Sequence, residues 1–297
     1  MRQTAIGNTD VRVGALAYGC WRFAESTVDD ADTKIRTALE AGLTLIDTAD
    51  IYGLGEPRGF GGAEAVLGEV LRRDPSLRSR MFLATKGGII PPRPYDSSYD
   101  YLTAAMEASL TRLNVDGVDL YQIHRPDLIA PVEETARALN DMVKSGKTRF
   151  VGVSNFTVAQ TRALQAHLEV PLVSTQPEFS ALHQDPITDG TFDWCSETGA
   201  TALVWSPLAR GSIPRLSSDH PRGAAVISCL QHIAEAHGAS VSDIALAFTM
   251  KHQAKIIPII GTQNPTRIIE SAKAAELDLP ARAFYDIIEA YRGQAMP

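Results

Sequence analysis

The chain has 297 residues, 28 of them basic and 35 acidic, for a formal net charge of −7. No basic stripe is present to neutralise phosphates, which argues against a nucleic-acid binder; Cys20, Cys195 and Cys229 are scattered without CxxC spacing, so neither a disulfide framework nor a metal site is indicated. The N-terminus lacks an apolar signal core and no apolar run reaches membrane-spanning length, which predicts a soluble, cytoplasmic protein.

Length alone would suggest about two domains. The pattern predicts one instead, spanning 1–297, because strand-like runs alternate with amphipathic helical stretches and no Pro/Gly/Ser-rich linker interrupts them. Ala5 to Val13 reads as a small hairpin turning at Gly7-Asn8, and Val13 to Tyr18 as the first buried strand. A helix over Ala31–Ala41 stops at Gly42. Leu43 to Ile46 is the second strand, ending at Asp47, and Ala63 to Leu71 the next helix. Met81 to Thr85 leads to Lys86, Tyr101 to Leu113 is helical, and Val118 to Ile123 leads to His124. Pro131 suits the first turn of a helix whose apolar stripe runs through Val132, Ala136, Leu139 and Val143. Arg149–Val153 is the fifth strand, Val158–Leu168 a helix, Leu172–Ser174 the sixth strand, Thr201–Trp205 the seventh and Ile256–Ile260 the eighth. Helices over Ala224–Ala236 and Ser242–Lys251 separate the last two strands, and another covers Ala281–Tyr291. Eight strands alternating with helices predict an α/β fold, a (β/α)8 barrel with a short N-terminal hairpin and extra helices.

In such a barrel, side chains at the C-terminal strand ends converge on one face. Asp47, Lys86 and His124 each stand where an apolar run ends, and Tyr52 follows the first of them closely. Hydride reduction of an aldehyde or ketone leaves negative charge on oxygen, which must be protonated. A free tyrosine, with a pKa of about 10, is a weak acid for this task. An ammonium close by lowers that value, and a carboxylate holds the ammonium in place. A histidine can orient the carbonyl oxygen and stabilise its charge. Each residue alone also has an ordinary reading: a solvated lysine, a turn-capping aspartate, a packed tyrosine, a structural histidine. Four such coincidences at consecutive strand ends favour the joint, catalytic reading.

The runs Leu45-Ile46-Asp47-Thr48-Ala49-Asp50-Ile51-Tyr52-Gly53, Ala84-Thr85-Lys86 and Asp119-Leu120-Tyr121-Gln122-Ile123-His124 resemble signatures of the aldo-keto reductase superfamily. Val151-Gly152-Val153-Ser154-Asn155-Phe156 and Pro258-Ile259-Ile260-Gly261-Thr262 extend the resemblance over essentially the whole chain, and His124-Arg125-Pro126-Asp127 is similar to the bacterial YdhF-like subgroup. The resemblance implies a barrel that reduces carbonyls with NADPH, that is, an NADP(H) cofactor, with Tyr52 as proton donor, Lys86 and Asp47 tuning it, and His124 orienting the carbonyl.

It also implies where the cofactor lies. Ser154, Asn155 and Gln176 match positions that pair with the nicotinamide carboxamide, although Ser154 and Asn155 also fit as caps of the next helix. Trp205 matches the aromatic residue that stacks on the nicotinamide ring. Ser206 to Ser212, including Pro207, Leu208, Arg210 and Gly211, resembles the loop over the pyrophosphate. Asn264-Pro265 reads from the residues themselves as an N-cap and first helical residue, a terminus that favours an anion. Arg267 then lies in the first turn, where a cation opposes the helix dipole unless an anion binds. The family places the 2′-phosphate of NADP at the matching arginine, with Gly261, Thr262, Glu270 and Ser271 among the contacts. Many relatives carry a phosphate-binding lysine at the position of Gly261. The glycine-rich run Gly53–Gly59 lacks the dinucleotide-fingerprint spacing and reads as a flexible loop near the active-site mouth.

For the substrate pocket, Trp21 matches a family wall residue. Arg125 stands beside His124 and meets either an acidic substrate or a salt bridge to Asp127 or Glu178, whereas Cys20 reads as packing. No long C-terminal flap follows the last helix, which predicts an open pocket. A small-molecule carbonyl compound is the expected partner, with a monomer or weak oligomer as the expected state. Two other readings compete with the reductase: a cofactor-binding regulatory subunit of the channel β-subunit type, and a Schiff-base aldolase using Lys86.

Overall fold

The computed structural model describes residues 1–297 and opens with the hairpin expected around Gly7-Asn8: β1 (Gln3–Ala5) pairs antiparallel with β2 (Arg12–Gly14). The strand expected over Val13–Tyr18 is divided. Val13 belongs to the hairpin, and β3 (Ala17–Gly19) starts a second sheet after a bend at Ala15-Leu16. Packing explains the break: Gly14 approaches the Gly42 carbonyl so closely that a Cβ would stand 2.0 Å from its oxygen, and the Ala15 N–H donates back to Arg2.

Helix α1 (Val28–Glu40) is capped by the Thr27 side chain, which accepts from the Asp30 N–H, and it ends before Gly42 at φ 89°. The chain continues through β4 (Leu45–Asp47), α2 (Gly62–Arg73), β5 (Phe82–Gly87), β6 (Ile89–Ile90), β7 (Arg93–Tyr95) and α3 (Tyr99–Leu113). Next come β8 (Val118–Ile123), α4 (Val132–Lys144), β9 (Thr148–Ser154), α5 (Val158–Gln165), β10 (Leu172–Gln176) and α6 (Thr191–Thr198). The last third holds β11 (Thr201–Val204), α7 (Gly223–His237), α8 (Val241–Lys251), β12 (Ile256–Ile260), α9 (Pro265–Ala274) and α10 (Ala281–Arg292). Eight parallel strands close the barrel in the order β3-β4-β5-β8-β9-β10-β11-β12, with β12 pairing back onto β3. This is the (β/α)8 architecture.

Several boundaries differ from expectation, three of them where the chain turns. Pro131 stands at the cap, just outside α4. Helix α5 stops at Gln165 rather than Leu168 because the Gln165 amide turns the chain, donating to the Val170 carbonyl and accepting from the Leu172 N–H. Trp205 leaves the β11 ladder and bridges to Glu178. The β6–β7 hairpin and α6 were not expected; the strands are too short to show a period, and α6 has only eight residues between Gly190 and Gly199.

Strand residues alternate in direction with a period of two, and this sorts the barrel interior into layers. Leu45, Phe82, Ala84, Leu120, Leu203 and Ile257 form an apolar lower layer, closed from beneath by Ile6 and Val13 of the hairpin region. One step further along the same faces stand Asp47, Lys86 and Gln122. On β10 a register shift between Leu172 and Ser174 resets the alternation. Val173 therefore joins the apolar layer while Gln176 still reaches Asp47 across the interior. The larger apolar core lies between the barrel and its helices.

Candidate active site

Three neighbouring strands deliver the polar quartet. Asp47 ends β4, Lys86 is the penultimate residue of β5, and His124 follows β8. Backbone pairing continues past the strand ends: the Asp50 N–H donates to the Lys86 carbonyl at 3.0 Å, and the His124 N–H to the Gly87 carbonyl at 2.9 Å. The turn after β4 is thus fastened to β5, which carries Tyr52 over Lys86. The Lys86 ammonium donates to Asp47 Oδ2 at 2.7 Å, to the Thr48 carbonyl at 2.7 Å and to Tyr52 Oη at 3.2 Å. An ammonium has three protons, and all are committed. Tyr52 Oη accepts one of them, so its own O–H has to find an acceptor elsewhere. The Tyr52 and His124 rings meet edge-on, 5.8 Å between centroids.

Burial alone pulls the Lys86 pKa down, but Asp47 and Tyr52 outweigh it and hold the group above its ordinary value, as an ammonium. Lys86 pulls the Tyr52 pKa down, the direction expected of a neighbouring ammonium, but it is not the largest influence. Burial raises its pKa, Lys86 opposes, and burial wins, so the phenol lies above its ordinary value and stays protonated. His124 is driven well below the usual histidine range by burial, with the charges of Lys86 and Arg125 adding to the effect. Its imidazole is therefore neutral, and its buried Nδ1 has no hydrogen-bond partner. Burial and the Asp47 charge push the Cys20 thiol well up, in keeping with a packing role.

The other half of the barrel mouth carries the groups expected at a cofactor. Helix α5 is capped by Thr157 in a reciprocal box with Gln160, so Ser154 and Asn155 are not spent as caps. Asn155 takes a left-handed backbone, φ 59°, that turns its amide inward. That amide donates to Ser154 Oγ at 2.8 Å and to the His124 carbonyl at 3.3 Å, and its oxygen accepts from the Trp205 indole at 3.0 Å. Gln176 donates to Asp47 Oδ1 at 3.0 Å, so Asp47 joins the two halves. After Trp205, Ser206, Ala209, Arg210 and Gly211 all have positive φ, a loop held in a backbone that L-residues rarely adopt. Pro207 is buried in it, and Leu208 and Ser212 are half-buried. Arg210 reaches Glu178 at 3.3 Å and lies over the Trp205 ring.

Beyond β12, Gly261 is exposed, and a Cβ there would meet nothing within 4 Å. The next residues are tied down: the Thr262 carbonyl accepts from Tyr18 Oη, and Gln263 Oε1 from the buried Lys34 ammonium at 2.8 Å. Asn264 caps α9 through the Thr266 N–H, as expected. Arg267 in the first turn is exposed and forms no ion pair; Glu270 is exposed and Ser271 half-buried along the same helix. An open glycine, a fixed loop, a capped helix start and a free arginine suit a phosphate-bearing cofactor. The donor set from Ser154 to Arg267, spread along adjacent strand ends β9 to β12, fits an elongated nicotinamide dinucleotide.

A family model for the aldo/keto reductase family matches residues 15–292. The chain belongs to this family. A 6-dehydroglucose reductase of Novosphingobium aromaticivorans is 46% identical over 98% of the chain and 96% of its own length, and one of Agrobacterium fabrum 35% identical over 93% and 94%. The oxidoreductase YdhF of Escherichia coli is 31% identical over 95% of each chain. Among solved structures, the thermostable aldo-keto reductase Tm1743, in complex with the inhibitor epalrestat, superposes with a TM-score of 0.85 at 28% identity, covering 98% of this chain and 100% of its own. The protein is an NAD(P)H-dependent aldo-keto reductase, a carbonyl oxidoreductase. No helix is long and apolar enough to cross a membrane.

One expectation at the site fails. Arg125 pairs with neither Asp127 nor Glu178: Asp127 accepts from the Ser97 and Ile129 N–H groups, and Glu178 takes Arg210. The Gly53–Gly59 run forms a series of hydrogen-bonded turns, and a Cβ on Gly53 would lie 2.5 Å from the Gly59 carbonyl oxygen. Trp21 is 63% exposed at the rim. Sequence reading missed the Thr48 carbonyl as a lysine acceptor, a backbone role that no side-chain pattern announces.

Proposed function

We propose that this reductase uses NADPH to reduce the carbonyl of an aldehyde or ketone, with the proton delivered from Tyr52 Oη, and that residues 1–297 act as one barrel domain. The observation that carries the proton assignment is the saturation of Lys86: its three protons go to Asp47, Thr48 and Tyr52, leaving the Tyr52 hydrogen for the substrate oxygen. The nicotinamide, when bound, supplies the hydride. Neutral His124 donates a hydrogen bond to the carbonyl oxygen and fixes its direction. Lys86 stabilises the phenolate that Tyr52 becomes, and Asp47 keeps Lys86 charged and in place. Ser154, Asn155 and Gln176 hold the carboxamide edge, Trp205 packs on the ring, and the Ser206–Ser212 loop covers the pyrophosphate. Gly261, Thr262, Arg267, Glu270 and Ser271 receive the adenosine end, with the 2′-phosphate at Arg267, while Trp21 walls the carbonyl pocket.

The names of the relatives suggest the substrate. Two of them are 6-dehydroglucose reductases, one 46% identical across nearly the full chain. We take a sugar-derived aldehyde as the substrate class. The test combines turnover and binding. Tyr52→Phe lowers turnover by about 10²- to 10⁴-fold, the usual scale of positioned proton transfer, while NADPH still quenches tryptophan fluorescence with unchanged affinity. Arg267→Ala weakens NADPH about 10-fold, the scale of one charged hydrogen bond, and leaves NADH unaffected. Normal turnover by Tyr52→Phe removes the proton donor, and equal effects on the two cofactors remove the phosphate site.

A further inference from the structure

Four arginines of this chain are half-buried: Arg36, Arg78, Arg112 and Arg125. Arg36 pairs with Asp32 and Asp74, Arg78 with Asp119, and Arg112 with Glu64. Arg125 has no ion pair and no side-chain hydrogen bond. The two carboxylates expected to neutralise it are engaged elsewhere, Asp127 by the backbone N–H groups of Ser97 and Ile129, Glu178 by Arg210. Partial burial without an acceptor is costly for a cation, and a guanidinium cannot shed its proton to escape the cost. Arg125 adjoins His124 at the C-terminal end of β8, and its charge is felt by the imidazole.

We infer that Arg125 is a specificity-determining residue of the carbonyl pocket, offering its guanidinium fork to oxygen acceptors on the carbons next to the reducible carbonyl. The substrate class is then an α-oxygenated carbonyl compound, of which hydroxy-aldehydes of the sugar type are one source and 2-oxo acids another. Both present an oxygen acceptor on the carbon next to the carbonyl, and the carboxylate presents two at the spacing of the fork. A hydrocarbon aldehyde satisfies His124 and Tyr52 but leaves Arg125 unpaired. Sites built to hydrogen-bond a substrate group discriminate strongly against analogues lacking it. The inference rests on the reading of His124 as the carbonyl-orienting residue.

The experiment measures kcat/KM for glyceraldehyde, glyoxylate and butanal in the wild type, Arg125→Met and Arg125→Lys. It also measures binding of glycerate to the same proteins by tryptophan fluorescence. In Arg125→Met, glyceraldehyde falls by about 10- to 100-fold, the scale of a charged hydrogen bond, mainly through KM. Butanal changes less than about 3-fold by the same reasoning, because it never engages the guanidinium, and Arg125→Lys recovers part of the loss by retaining the charge. A loss confined to glyoxylate supports the proposal with a carboxylate as the acceptor. Equal losses for butanal and both oxygenated substrates, or no loss for either of the latter, overturn it. If the wild type reduces none of the three yet binds glycerate in an Arg125-dependent way, the reading of a sugar-derived aldehyde as substrate falls and the oxygen-acceptor site stands. Glycerate binding that ignores Arg125 in such a protein overturns both.

Discussion

At the level of single residues, the site is set by a competition between burial and charge. Lys86 is fully buried yet stays an ammonium, because Asp47 and Tyr52 lie within hydrogen-bond reach and outweigh the desolvation. Tyr52 goes the other way, its phenol kept protonated by burial against the pull of Lys86. That is the resting form a proton donor needs, and the ammonium beside it takes effect once the phenolate forms. His124 is held neutral far below its ordinary range. A histidine with that depression does not titrate between pH 6 and 8, so kcat/KM shows no inflection near the ordinary histidine pKa of about 6.5. A pH–rate profile with an acid limb centred there, absent in His124→Asn, would show that the imidazole is charged in the free enzyme. These residue identities were legible from their places at strand ends. The direction of the Tyr52 shift was not, because burial is a property of everything packed around the ring.

Among the elements, strand ends and helix starts do the positioning. The β12–α9 connection joins an exposed Gly261, a Gln263 gripped by Lys34, and a helix start capped by Asn264. The cap was readable from Asn264-Pro265, whereas the Lys34 tie was not, since it spans 229 positions of sequence. Gly261 has open space around its missing Cβ and no positive φ, so a larger side chain fits without strain. Gly261→Lys supplies a cation beside the Arg267 helix start, and it tightens NADPH by about 3- to 10-fold relative to NADH, the range for a partly exposed charge–phosphate contact. Parallel titrations of the two cofactors check it; an equal gain for both would place the 2′-phosphate elsewhere. The β10 register shift is the opposite case. Nothing in Leu172-Val173-Ser174 announces it, yet it decides that Gln176 faces Asp47.

Taken as a whole, the molecule buries an uncharged carboxyl beneath the turn that carries Tyr52. Asp50 is fully buried between the barrel and its helices, with neither oxygen hydrogen-bonded. Burial first, then Glu64, push its carboxyl up to about 8, against Arg112 and Lys86. An unfolded aspartate ionises near 3.9, so the folded value lies above the unfolded one. Its contribution to stability is full below about pH 4 and is lost as the pH rises through about 8. Asp50→Asn removes this dependence. Its melting temperature matches the wild type near pH 4 and exceeds it by a few °C near pH 8, on the order expected for a chain of this size. Thermal unfolding at several pH values tests this, with one transition expected for a single barrel domain. A constant difference across that range would mean Asp50 is ionised in the folded state.

The sequence by itself determined the barrel, because the alternation of apolar runs with helical stripes is local and repeats through the chain. It determined the quartet as well, since residues at successive strand ends of a parallel barrel meet on one face whatever the loops do. Tertiary structure alone decided which donors are saturated at Lys86, where the Val13–Tyr18 run breaks, how the Gly53–Gly59 turns close, and that Arg125 remains without a partner. Hydrogen-bond partners and desolvation arise between segments far apart in the chain, and their balance exists only once those segments are packed together.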